Sequence, residues 1–520
     1  MSASKLAEEL TEEVLTNPEK IQGNMVGLGG LVRTAGMTGG SAMFAQVVGY
    51  GMVLLLTLLL GAGGFGLFTL ATTVKSIAVL IGSLSLGVTT LRFTAWYRGR
   101  ENAEGWQRMI SAATWGTLLW SSLVAITLWL LAPMLAHAVF GKPAMGGVLR
   151  VIAWTIPLDA LFSIWISGLH GLGLTTRRAY LEQIVLPVAR LVAVLFSFLL
   201  GRGVEGTLWL MNIASGIAML AAGWFLGRKV AFWKIWPFPL TDWREWAKYT
   251  APTFLDALLV TSLGGSLEVL LLGVFASETI VGIYSVALRL KFVVQMPMTA
   301  FNNALAPLIS EAHARHDKPR LEFLFRAATR WVLMIGIPLA TAFVLFGSSI
   351  LALFGADFRI GYLALVIVIG GEVVHILAGP VGHMLLMTGY SRIRLINSII
   401  LVLIQLILGL TLIPLLQLQG AAIVAAVSMA VVSLLGLIEV WALLKVHPYQ
   451  VNLLKPIIVC GLAAMGVIVV RALLGPAKLW SQILLAALFC LGYCLILLKF
   501  GMGDEDKNLV YQLTRRLRMA

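Results

Sequence analysis

The chain consists of long apolar runs that follow one another over nearly its whole length. One of them, Ile423–Ile438, is interrupted only by Ser428, Ser433 and Gly436. A helix on the surface of a soluble protein carries polar residues along one face, and a strand of a membrane barrel alternates polar and apolar residues. This run shows neither pattern. Runs of this kind predict helices that cross a membrane.

The composition limits how many such helices the chain can form. Hydrophobic residues make up 59% of the 520 residues and charged residues 12%, whereas an average soluble domain is about 25% charged. Since one span takes about 20 apolar residues, the chain has room for at most about fifteen spans. This excludes a soluble enzyme, a nucleic-acid-binding domain and a disordered chain.

Fourteen apolar runs are long enough to span, which predicts an all-α polytopic membrane protein with about 14 transmembrane helices. The predicted spans are 38–60, 67–90, 109–133, 147–170, 181–201, 207–227, 250–275, 280–309, 326–346, 360–387, 395–414, 417–445, 456–474 and 479–499. A polar N-terminal segment, 1–37, precedes them. It is acidic near its start, so no cleavable signal peptide is predicted. A basic tail, 501–520, follows them.

Lysine and arginine are distributed unequally between the two sets of loops. Nineteen of them lie in or beside the loops that follow even-numbered spans, against four after odd-numbered spans, or six if Arg150 and Arg471 are counted. Because cytoplasmic loops are rich in these residues, both termini are predicted to be cytoplasmic. Most of the net charge of +14 is then expected to face anionic membrane lipids rather than a nucleic acid.

The first half of the chain is repeated in the second. The matched pairs are Leu58–Gly61 with Leu270–Gly273, Gly66–Ala71 with Gly282–Ala287, Lys75 with Lys291, Phe140–Gly141 with Phe354–Gly355, and Arg177 with Arg392. The offset is 212 at the first pair and 214–216 afterwards. Spans 1–6 (38–227) and 7–12 (250–445) are therefore predicted to be two parallel copies of one six-helix lobe, with spans 13 and 14 (446–500) added. Parallel repeats are typical of transporters.

Between the lobes lies a connector, 228–249, that is rich in tryptophan and basic residues. Trp233, Trp236, Trp243 and Trp246 alternate there with cations, which predicts an amphipathic helix at the cytoplasmic membrane surface. Earlier in the chain, Gly61, Gly63 and Gly66 have the spacing of a dinucleotide-binding loop. No strand precedes them, so a tight turn between spans 1 and 2 is predicted instead.

The stretch Leu58–Phe68, running on to Leu91-Arg92-Phe93, together with the six-plus-six-plus-two arrangement, resembles a known family. It is similar to the polysaccharide-transporter branch of the multidrug/oligosaccharidyl-lipid/polysaccharide exporter superfamily, the Wzx-type O-antigen flippases. The lipid II flippase branch usually has an arginine-rich first helix, whereas this chain has only Arg33 before span 1. The drug/cation antiporter branch usually has twelve spans.

This resemblance implies a function for the chain. The cargo would be a polyprenyl-pyrophosphate-linked oligosaccharide, an O-antigen or exopolysaccharide repeat unit, moved from the inner to the outer leaflet of a bacterial inner membrane by alternating access. The chain would be a transporter and not an enzyme. Its expected protein partners are the polysaccharide polymerase and the glycosyltransferases of the same pathway.

Cationic residues within the predicted spans are candidates for binding the pyrophosphate. They are Lys75, Arg190, Arg289 and Lys291, and the repeat matches Lys75 with Lys291. A polyanionic headgroup needs donors that pair with its phosphate oxygens. Asn302 and Asn303 are candidates for sugar hydroxyls. The alternatives are that the cations extend to the interface or pair with buried carboxylates, and that the amides join helices.

Acidic residues within the spans are candidates for ion coupling. Glu372 and His375 lie three apart and share a helix face, and Asp159 and Asp256 are further candidates, while Glu268 is another intramembrane carboxylate. A buried carboxylate beside a histidine can take up and release a proton or sodium ion. The alternative is that these carboxylates neutralise the cations. No metal site and no cofactor other than a coupling H⁺ or Na⁺ is predicted.

Two other functions remain open from the sequence. One is a cation-coupled drug or metabolite antiporter of the same superfamily, in which Glu372 or Asp256 carries the proton. The other is a membrane glycan ligase or polymerase. The short predicted outer loops disfavour this last class, because such enzymes usually build their sites on an extended loop or domain.

Overall fold

The structure is a computed structural model that describes residues 18–230, 243–259, 264–450, 453–474 and 479–497. Side chains are described for these ranges except at 18–39, 264, 303–304, 473–474, 479–481 and 483. The acidic start of the N-terminal segment, Trp233 and Trp236 of the connector, and the basic tail lie outside the described residues. Within these ranges the chain is helical and contains no strand, so the predicted all-α fold class is confirmed.

Seventeen α-helices are described, numbered here in chain order. The first eight are α1 (Pro18–Ser83), α2 (Leu86–Gly99), α3 (Ala103–Met134), α4 (Met145–Ala153), α5 (Thr155–Gly171), α6 (Thr175–Tyr180), α7 (Leu186–Leu199) and α8 (Val204–Gly227). The others are α9 (Trp243–Asp256), α10 (Gly264–Phe275), α11 (Glu278–Ala314), α12 (Lys318–Leu353), α13 (Tyr362–Ala378), α14 (Val381–Met387), α15 (Ser391–Leu444), α16 (Leu454–Leu474) and α17 (Leu479–Ile496).

Ten of the described helical segments are long and apolar enough to cross a membrane. Two of them, Gly40–Ser83 and Ser391–Leu444, are interrupted by one non-helical residue each, Gly61 and Gln417. At a rise of about 1.5 Å per residue, each of the two is long enough to cross a bilayer core of about 30 Å twice. The chain is a multi-pass membrane protein, and the count of 14 spans stays a prediction.

The helix break at Gly61 replaces the tight turn that the glycine spacing predicts. Gly61 alone leaves the helical conformation, with φ 65° and ψ −178°, a backbone geometry that glycine adopts without strain. Gly63 and Gly66 lie inside the continuing helix. The predicted turn is therefore wrong at those two positions, because a single residue suffices to redirect the chain.

Left-handed backbone positions repeat along the chain at the offset of the sequence repeat. Non-helical positive φ angles occur at the matched pairs Gly141 and Gly355, Glu101 and His316, Gly173 and Gly389, and Gly201 and Gln417. Each pair is separated by 214 to 216 residues, the spacing of the sequence matches. The two copies therefore share loop geometry as well as residues, which supports the internal repeat.

The chain forms two compact units. The first comprises residues up to Leu55 with Ala78–Leu130 and Arg150–Phe254. Its core lies between α3, α5 and α8, where Ile110, Ile166 and Ala218 are buried. In this unit Arg92 stacks over the ring of Tyr249 of α9 at 4.2 Å, so the described part of the connector packs onto α2.

The second unit comprises Leu56–Ile77, Leu131–Leu149 and the chain from Leu255 onward. Its core includes Phe325, Met384 and Val440, all fully buried. The two lobes predicted from the sequence repeat do not coincide with these two units. Short parts of the first repeat, which follow spans 1 and 3, pack within the second unit. The lobe boundaries stay predictions.

Candidate transport site

A cavity of about 440 Å³, lined by apolar and polar residues, lies within the second unit. We call it the C-cavity and define it by the charged and amide residues that line it, which are Glu268, Lys291, Gln295, Asn302, His375, His383, Arg394, Asn397 and Gln405. They come from α10, α11, α13, α14 and α15, so the cavity is built by the second repeat. Its volume lies in the usual range for ligand sites, about 300–1,000 Å³.

Lys291 provides the cationic side chain at the wall formed by α11. Its Nζ lies 3.8 Å from Oε2 of Glu372 on α13, and its side chain is 14% exposed. Glu372 is completely buried, and neither carboxylate oxygen has a hydrogen-bond partner among the described residues. The ammonium of Lys291 therefore provides the principal compensation for this buried charge.

Close backbone approach places Glu372 in this position. A Cβ atom at the preceding Gly371 would lie 2.8 Å from the Cβ of Ala426 on α15 and closer still to its Cα. Only glycine lets α13 and α15 approach so closely at this point. The carboxylate of Glu372 is thus held in the interior between packed helices, where a charge costs about 2.5–3.5 kcal/mol on insertion scales.

A second carboxylate, Glu268 of α10, lies in the same cluster. Its Oε1 accepts a hydrogen bond from the amide of Gln405 on α15 at 2.8 Å. Glu268 is 4% exposed and Gln405 is 3% exposed. The two residues are 137 positions apart, and Glu268 also interacts electrostatically with Lys291. The bond joins α10 to α15 across the cavity.

His375 completes the cluster on the face of α13 that it shares with Glu372. Its Nδ1 lies 2.9 Å from the hydroxyl of Ser433 on α15. It interacts electrostatically with both Glu372 and Lys291. The prediction that Glu372 and His375 share a face agrees with this geometry, and the structure adds Lys291 as their common neighbour.

The charges of this cluster do not balance. Among these four side chains, the ammonium of Lys291 lies 3.8 Å from Glu372 and interacts electrostatically with Glu268, so there are two carboxylates for one ammonium. With His375 neutral, the four side chains carry a net charge of −1. Since an uncompensated buried charge is strongly unfavourable, the cluster gains stability by taking up one positive charge. This can be a proton on a carboxyl group or on His375, or a small cation.

Further polar groups line another part of the C-cavity. Asn397 donates a hydrogen bond to Oε2 of Glu439 at 2.5 Å, both on α15. Arg394 of α15 and His383 of α14 also line the cavity, and Oδ1 of Asn302 is buried without a hydrogen-bond partner among the described residues. Arg394 and His383 provide donors, and Asn302 provides an unused acceptor.

The structure distributes the predicted cargo-binding residues over several places. Lys291 and Asn302 line the C-cavity, whereas Arg289 and Lys75 do not. Asn303 lies in α11, but its side chain is outside the described residues. The sequence repeat matches Lys75 with Lys291, and the structure does not bring them to the same cavity. Their roles in cargo binding stay predictions.

The remaining candidates lie outside the C-cavity. Arg190 of α7 donates to Oδ1 of Asp159 on α5 at 3.1 Å and to the hydroxyl of Ser215 on α8 at 3.0 Å, all in the first unit. Asp256 is exposed at the end of α9. The Arg190–Asp159 pair is the arrangement expected if these charges join helices, which was one of the two interpretations of the sequence.

Sequence reasoning missed the roles of Gln405, Arg394 and Glu439. Gln405 lies within an apolar run, Ile399–Leu412, and a lone glutamine in a span was the available signal. Arg394 was counted only as a loop cation. Glu439 lies in span 12 and, like Glu268, was left out of the candidate list. Their contacts depend on how α10, α11, α13 and α15 pack against one another, which the sequence pattern does not show.

Among solved structures, the chain is similar to the lipid II flippase MurJ in its inward closed conformation. The TM-score is 0.72 at 12% identity, and the match covers 88% of this chain and 97% of that chain. An inward-facing multidrug resistance MATE family transporter of the MOP superfamily matches with a TM-score of 0.65 at 18% identity, covering 78% of this chain and 94% of that one. These likenesses define the class, a helical membrane protein with the fold of this superfamily.

The family is defined by a sequence match. The model of the family described as Polysaccharide biosynthesis protein matches residues 31–313, and that described as MatE matches residues 252–411. Because the first match spans more than half of the chain, the chain belongs to the polysaccharide biosynthesis protein family. The resemblance inferred from Leu58–Phe68 and the repeat is confirmed.

Two curated relatives come from Haloferax volcanii. The probable low-salt glycan biosynthesis flippase Agl15 is 24% identical over 178 residues, which is 33% of this chain and 38% of that protein. The probable flippase AglR is 29% identical over 225 residues, which is 42% of this chain and 44% of that protein. The chain thus matches less than half of the length of each relative.

Proposed function

We propose that the chain is a flippase that moves a lipid-linked glycan across a membrane, and that it is a transporter rather than an enzyme. The observation that carries this proposal is the family match over residues 31–313. It is supported by two relatives described as probable flippases and by a fold similar to that of a lipid II flippase. The cargo is a polyprenyl-pyrophosphate-linked oligosaccharide, such as an O-antigen or exopolysaccharide repeat unit.

The C-cavity is the proposed site for the cargo headgroup. Lys291 and Arg394 line it, and both are donors suited to phosphate oxygens. Asn302, Gln295 and Asn397 line it as well and offer amide groups to sugar hydroxyls. A volume of about 440 Å³ accommodates the pyrophosphate and the first sugar, while the polyprenyl chain remains in lipid.

Ion coupling follows from the charge of the cluster around Lys291. In the absence of cargo, Lys291 is held by Glu372 and Glu268. Neutralising either carboxylate with a proton, or compensating it with Na⁺, weakens its hold on Lys291. The ammonium is then available to the pyrophosphate. Cargo binding and cation uptake are in this way coupled through one lysine.

The proposed setting is a bacterial inner membrane with both termini in the cytoplasm. The lysine and arginine bias of the loops supports the orientation of the termini. Alternating access between the two repeats moves the headgroup from the inner to the outer leaflet. Glycosyltransferases that build the repeat unit would act before the flippase, and a polysaccharide polymerase would act after it.

The test is a flipping assay in proteoliposomes with a fluorescent polyprenyl-pyrophosphate-linked oligosaccharide. Cargo in the outer leaflet is quenched by an impermeant reductant, so flipping removes the protected half of the signal. We expect the wild-type protein to flip the cargo and the Lys75→Gln/Lys291→Gln double variant to be inactive while still folded. The control is Lys445→Gln, since Lys445 stacks over Trp441 on the surface.

The assay also separates the two alternatives. A drug or metabolite antiporter on the same fold would leave the glycan lipid unmoved and would instead exchange a cationic drug for protons. A glycan ligase or polymerase would release free carrier lipid. Unchanged flipping by the Lys75→Gln/Lys291→Gln variant would contradict the pyrophosphate assignment.

A further inference from the structure

A second cavity, of about 490 Å³, lies within the first unit, and we call it the N-cavity. It is bounded by α9 on one side and by α3 and the junction of α1 with α2 on the other. None of its lining residues lines the C-cavity, and none of them is charged. The N-cavity therefore suits an apolar ligand rather than the headgroup of the proposed cargo.

Helix α9 lines the N-cavity with one face. Its lining residues are Trp243, Trp246, Ala247, Thr250, Ala251 and Phe254. They recur at intervals of three and one, which is the spacing of a single helix face. The residues Arg244, Glu245 and Lys248 lie between them and are exposed. Helix α9 is therefore amphipathic, with its apolar face toward the cavity.

Small residues on α3 leave the space opposite α9. Ala112, Ala113 and Gly116 line the cavity, and a Cβ atom at Gly116 would meet nothing within 4 Å. A hydrogen bond of 2.8 Å between the hydroxyls of Thr89 and Thr250 joins α2 to α9 beside this space. Protein interiors contain few voids larger than a water molecule. An apolar space of this size in a membrane protein is therefore expected to hold a lipid chain.

Trp246 brings an unused hydrogen-bond donor to this wall. Its Nε1 is buried and has no acceptor among the described residues, while its side chain lines the cavity. Thr250, in contrast, donates a hydrogen bond to the carbonyl oxygen of Trp246 at 2.8 Å. A buried donor without a partner is unfavourable. Indole rings commonly lie at the headgroup level of a membrane, where phosphate and ester oxygens of lipids provide acceptors.

The charged side chains near Trp246 favour an anionic headgroup. Arg244 and Lys248 lie one turn apart on the exposed face of α9, with Glu245 beside them. Arg92 of α2 is also exposed, and its guanidinium lies 4.2 Å from the ring centre of Tyr249. Among these groups three cations accompany one carboxylate. The cytoplasmic leaflet is the one that carries anionic lipids, and this end of α9 belongs to the connector predicted at the cytoplasmic surface.

The wall formed by α9 has the length of one lipid leaflet. Trp243 and Phe254 are 11 residues apart, which is about 16 Å along a helix axis. Half of a hydrocarbon core of about 30 Å is about 15 Å. The tryptophans lie at one end of this wall and Phe254 at the other. A lipid with its headgroup at the tryptophans would thus extend its chain toward Phe254.

We propose that the N-cavity binds one anionic phospholipid of the cytoplasmic leaflet. Its acyl chain lies between α3 and α9, and its headgroup is held by Trp246, Arg244 and Lys248. The bound lipid stabilises the first unit, because a ligand that binds only the folded chain favours that state. This inference does not depend on the proposed transport function.

The first test is native mass spectrometry of the full chain in detergent. The probes are phosphatidylglycerol and phosphatidylcholine with the same acyl chains, and we expect the first phosphatidylglycerol to bind at least tenfold more tightly. Gly116→Phe places a phenyl ring in the cavity and should weaken phosphatidylglycerol binding at least tenfold. The matched control is Gly51→Phe on α1, where a Cβ atom also meets nothing within 4 Å. This control should bind as the wild type does.

A second variant leaves the volume of the cavity nearly unchanged. Trp246→Phe keeps an aromatic ring and removes the N–H donor, which should weaken phosphatidylglycerol binding about fivefold. Its control is Trp224→Phe, which alters an exposed indole that stacks with Arg228 at 3.8 Å. Thermal unfolding provides an independent measurement. Phosphatidylglycerol should raise the Tm of the wild type and of Gly51→Phe, but not that of Gly116→Phe.

Each outcome decides for or against the proposal. Equal phosphatidylglycerol binding by Gly116→Phe and Gly51→Phe would overturn it, and so would equal affinity of the wild type for the two headgroups. Displacement of phosphatidylglycerol by an equimolar polyprenyl phosphate would assign the cavity to a carrier lipid instead. If Gly116→Phe does not fold, Trp246→Phe and Trp224→Phe decide, and equal binding by these two variants would contradict the proposal. None of these measurements requires flipping.

Discussion

The two units each bury a group of charged side chains, and the two groups are built differently. In the first unit Arg190 and Asp159 balance each other, and the hydroxyl of Ser215 accepts a further hydrogen bond from the guanidinium. In the second unit the ammonium of Lys291 pairs with Glu372 and also interacts electrostatically with a second carboxylate, that of Glu268. A balanced pair joins helices and leaves no charge for a ligand, whereas an unbalanced cluster attracts one.

The internal repeat places parts of these two charged groups at matched positions. Asp159 and His375 are 216 residues apart, and Arg190 and Gln405 are 215 apart. Similar places in the two copies thus hold an ion pair in one and neutral polar groups in the other. The cation of the second cluster, Lys291, lies at the position that the repeat matches with Lys75, and the two carboxylates come from other positions. At this place the first copy forms an ion pair between helices, whereas the second copy has neutral polar groups beside a charged cluster.

The largest expected effect is on the stability of the first unit. Arg190→Leu removes the guanidinium that pairs with the partly buried carboxylate of Asp159, which we expect to lower the free energy of unfolding by about 3 kcal/mol. Arg190→Leu/Asp159→Leu should recover most of this loss and still flip cargo. The measurement is thermal unfolding in detergent together with the flipping assay. A stable but inactive double variant would show that Arg190 binds cargo.

The next effect is on transport by the second unit. Lys291→Gln removes the cation that binds the headgroup, and we expect flipping to fall about 100-fold, equivalent to about 2.7 kcal/mol. Thermal stability should change much less, because the carboxylates can bind protons instead. Initial flipping rates at several cargo concentrations measure this. Equal losses of flipping in Lys291→Gln and Lys445→Gln would show that Lys291 has no specific role in binding the headgroup.

A smaller effect is expected on the coupling of flipping to cation uptake. Glu372→Gln removes one of the two negative charges, so the cluster no longer needs to take up a cation and Lys291 is bound less tightly. We expect flipping to be retained within about tenfold, roughly 1.4 kcal/mol, while its dependence on pH and Na⁺ is lost. Rates measured across a pH series, with and without Na⁺, test this. An unchanged ion dependence would place coupling elsewhere.

The smallest expected effect is the loss of stability when the contact to His375 is removed. Ser433→Ala removes the hydroxyl that lies 2.9 Å from Nδ1 of His375, which should lower the free energy of unfolding by about 1 kcal/mol. Transport should be little affected. A large loss of flipping would instead show that the orientation of His375 is essential to the cycle.

The sequence predicted the helical class, the family and the two copies, because each depends on patterns spread over many residues. It also placed Glu372 and His375 on one face, since residues three apart on a helix are neighbours. It did not predict the bond between Glu268 and Gln405, which joins residues 137 positions apart. Nor did it distinguish Arg190, which pairs with Asp159, from Lys291, which pairs with Glu372 and is also influenced by the charge of Glu268. Those differences depend on how helices pack, and no local pattern encodes that.

The most direct measurement is the binding of a polyprenyl pyrophosphate to the purified protein in nanodiscs, compared between Lys291→Gln and Arg190→Leu/Asp159→Leu. The central claim is that the unbalanced cluster of the second unit, and not the balanced pair of the first, receives the anionic headgroup. It predicts that Lys291→Gln weakens binding at least tenfold while the double variant binds as tightly as the wild type. Binding that survives in Lys291→Gln and is lost in the double variant would contradict it.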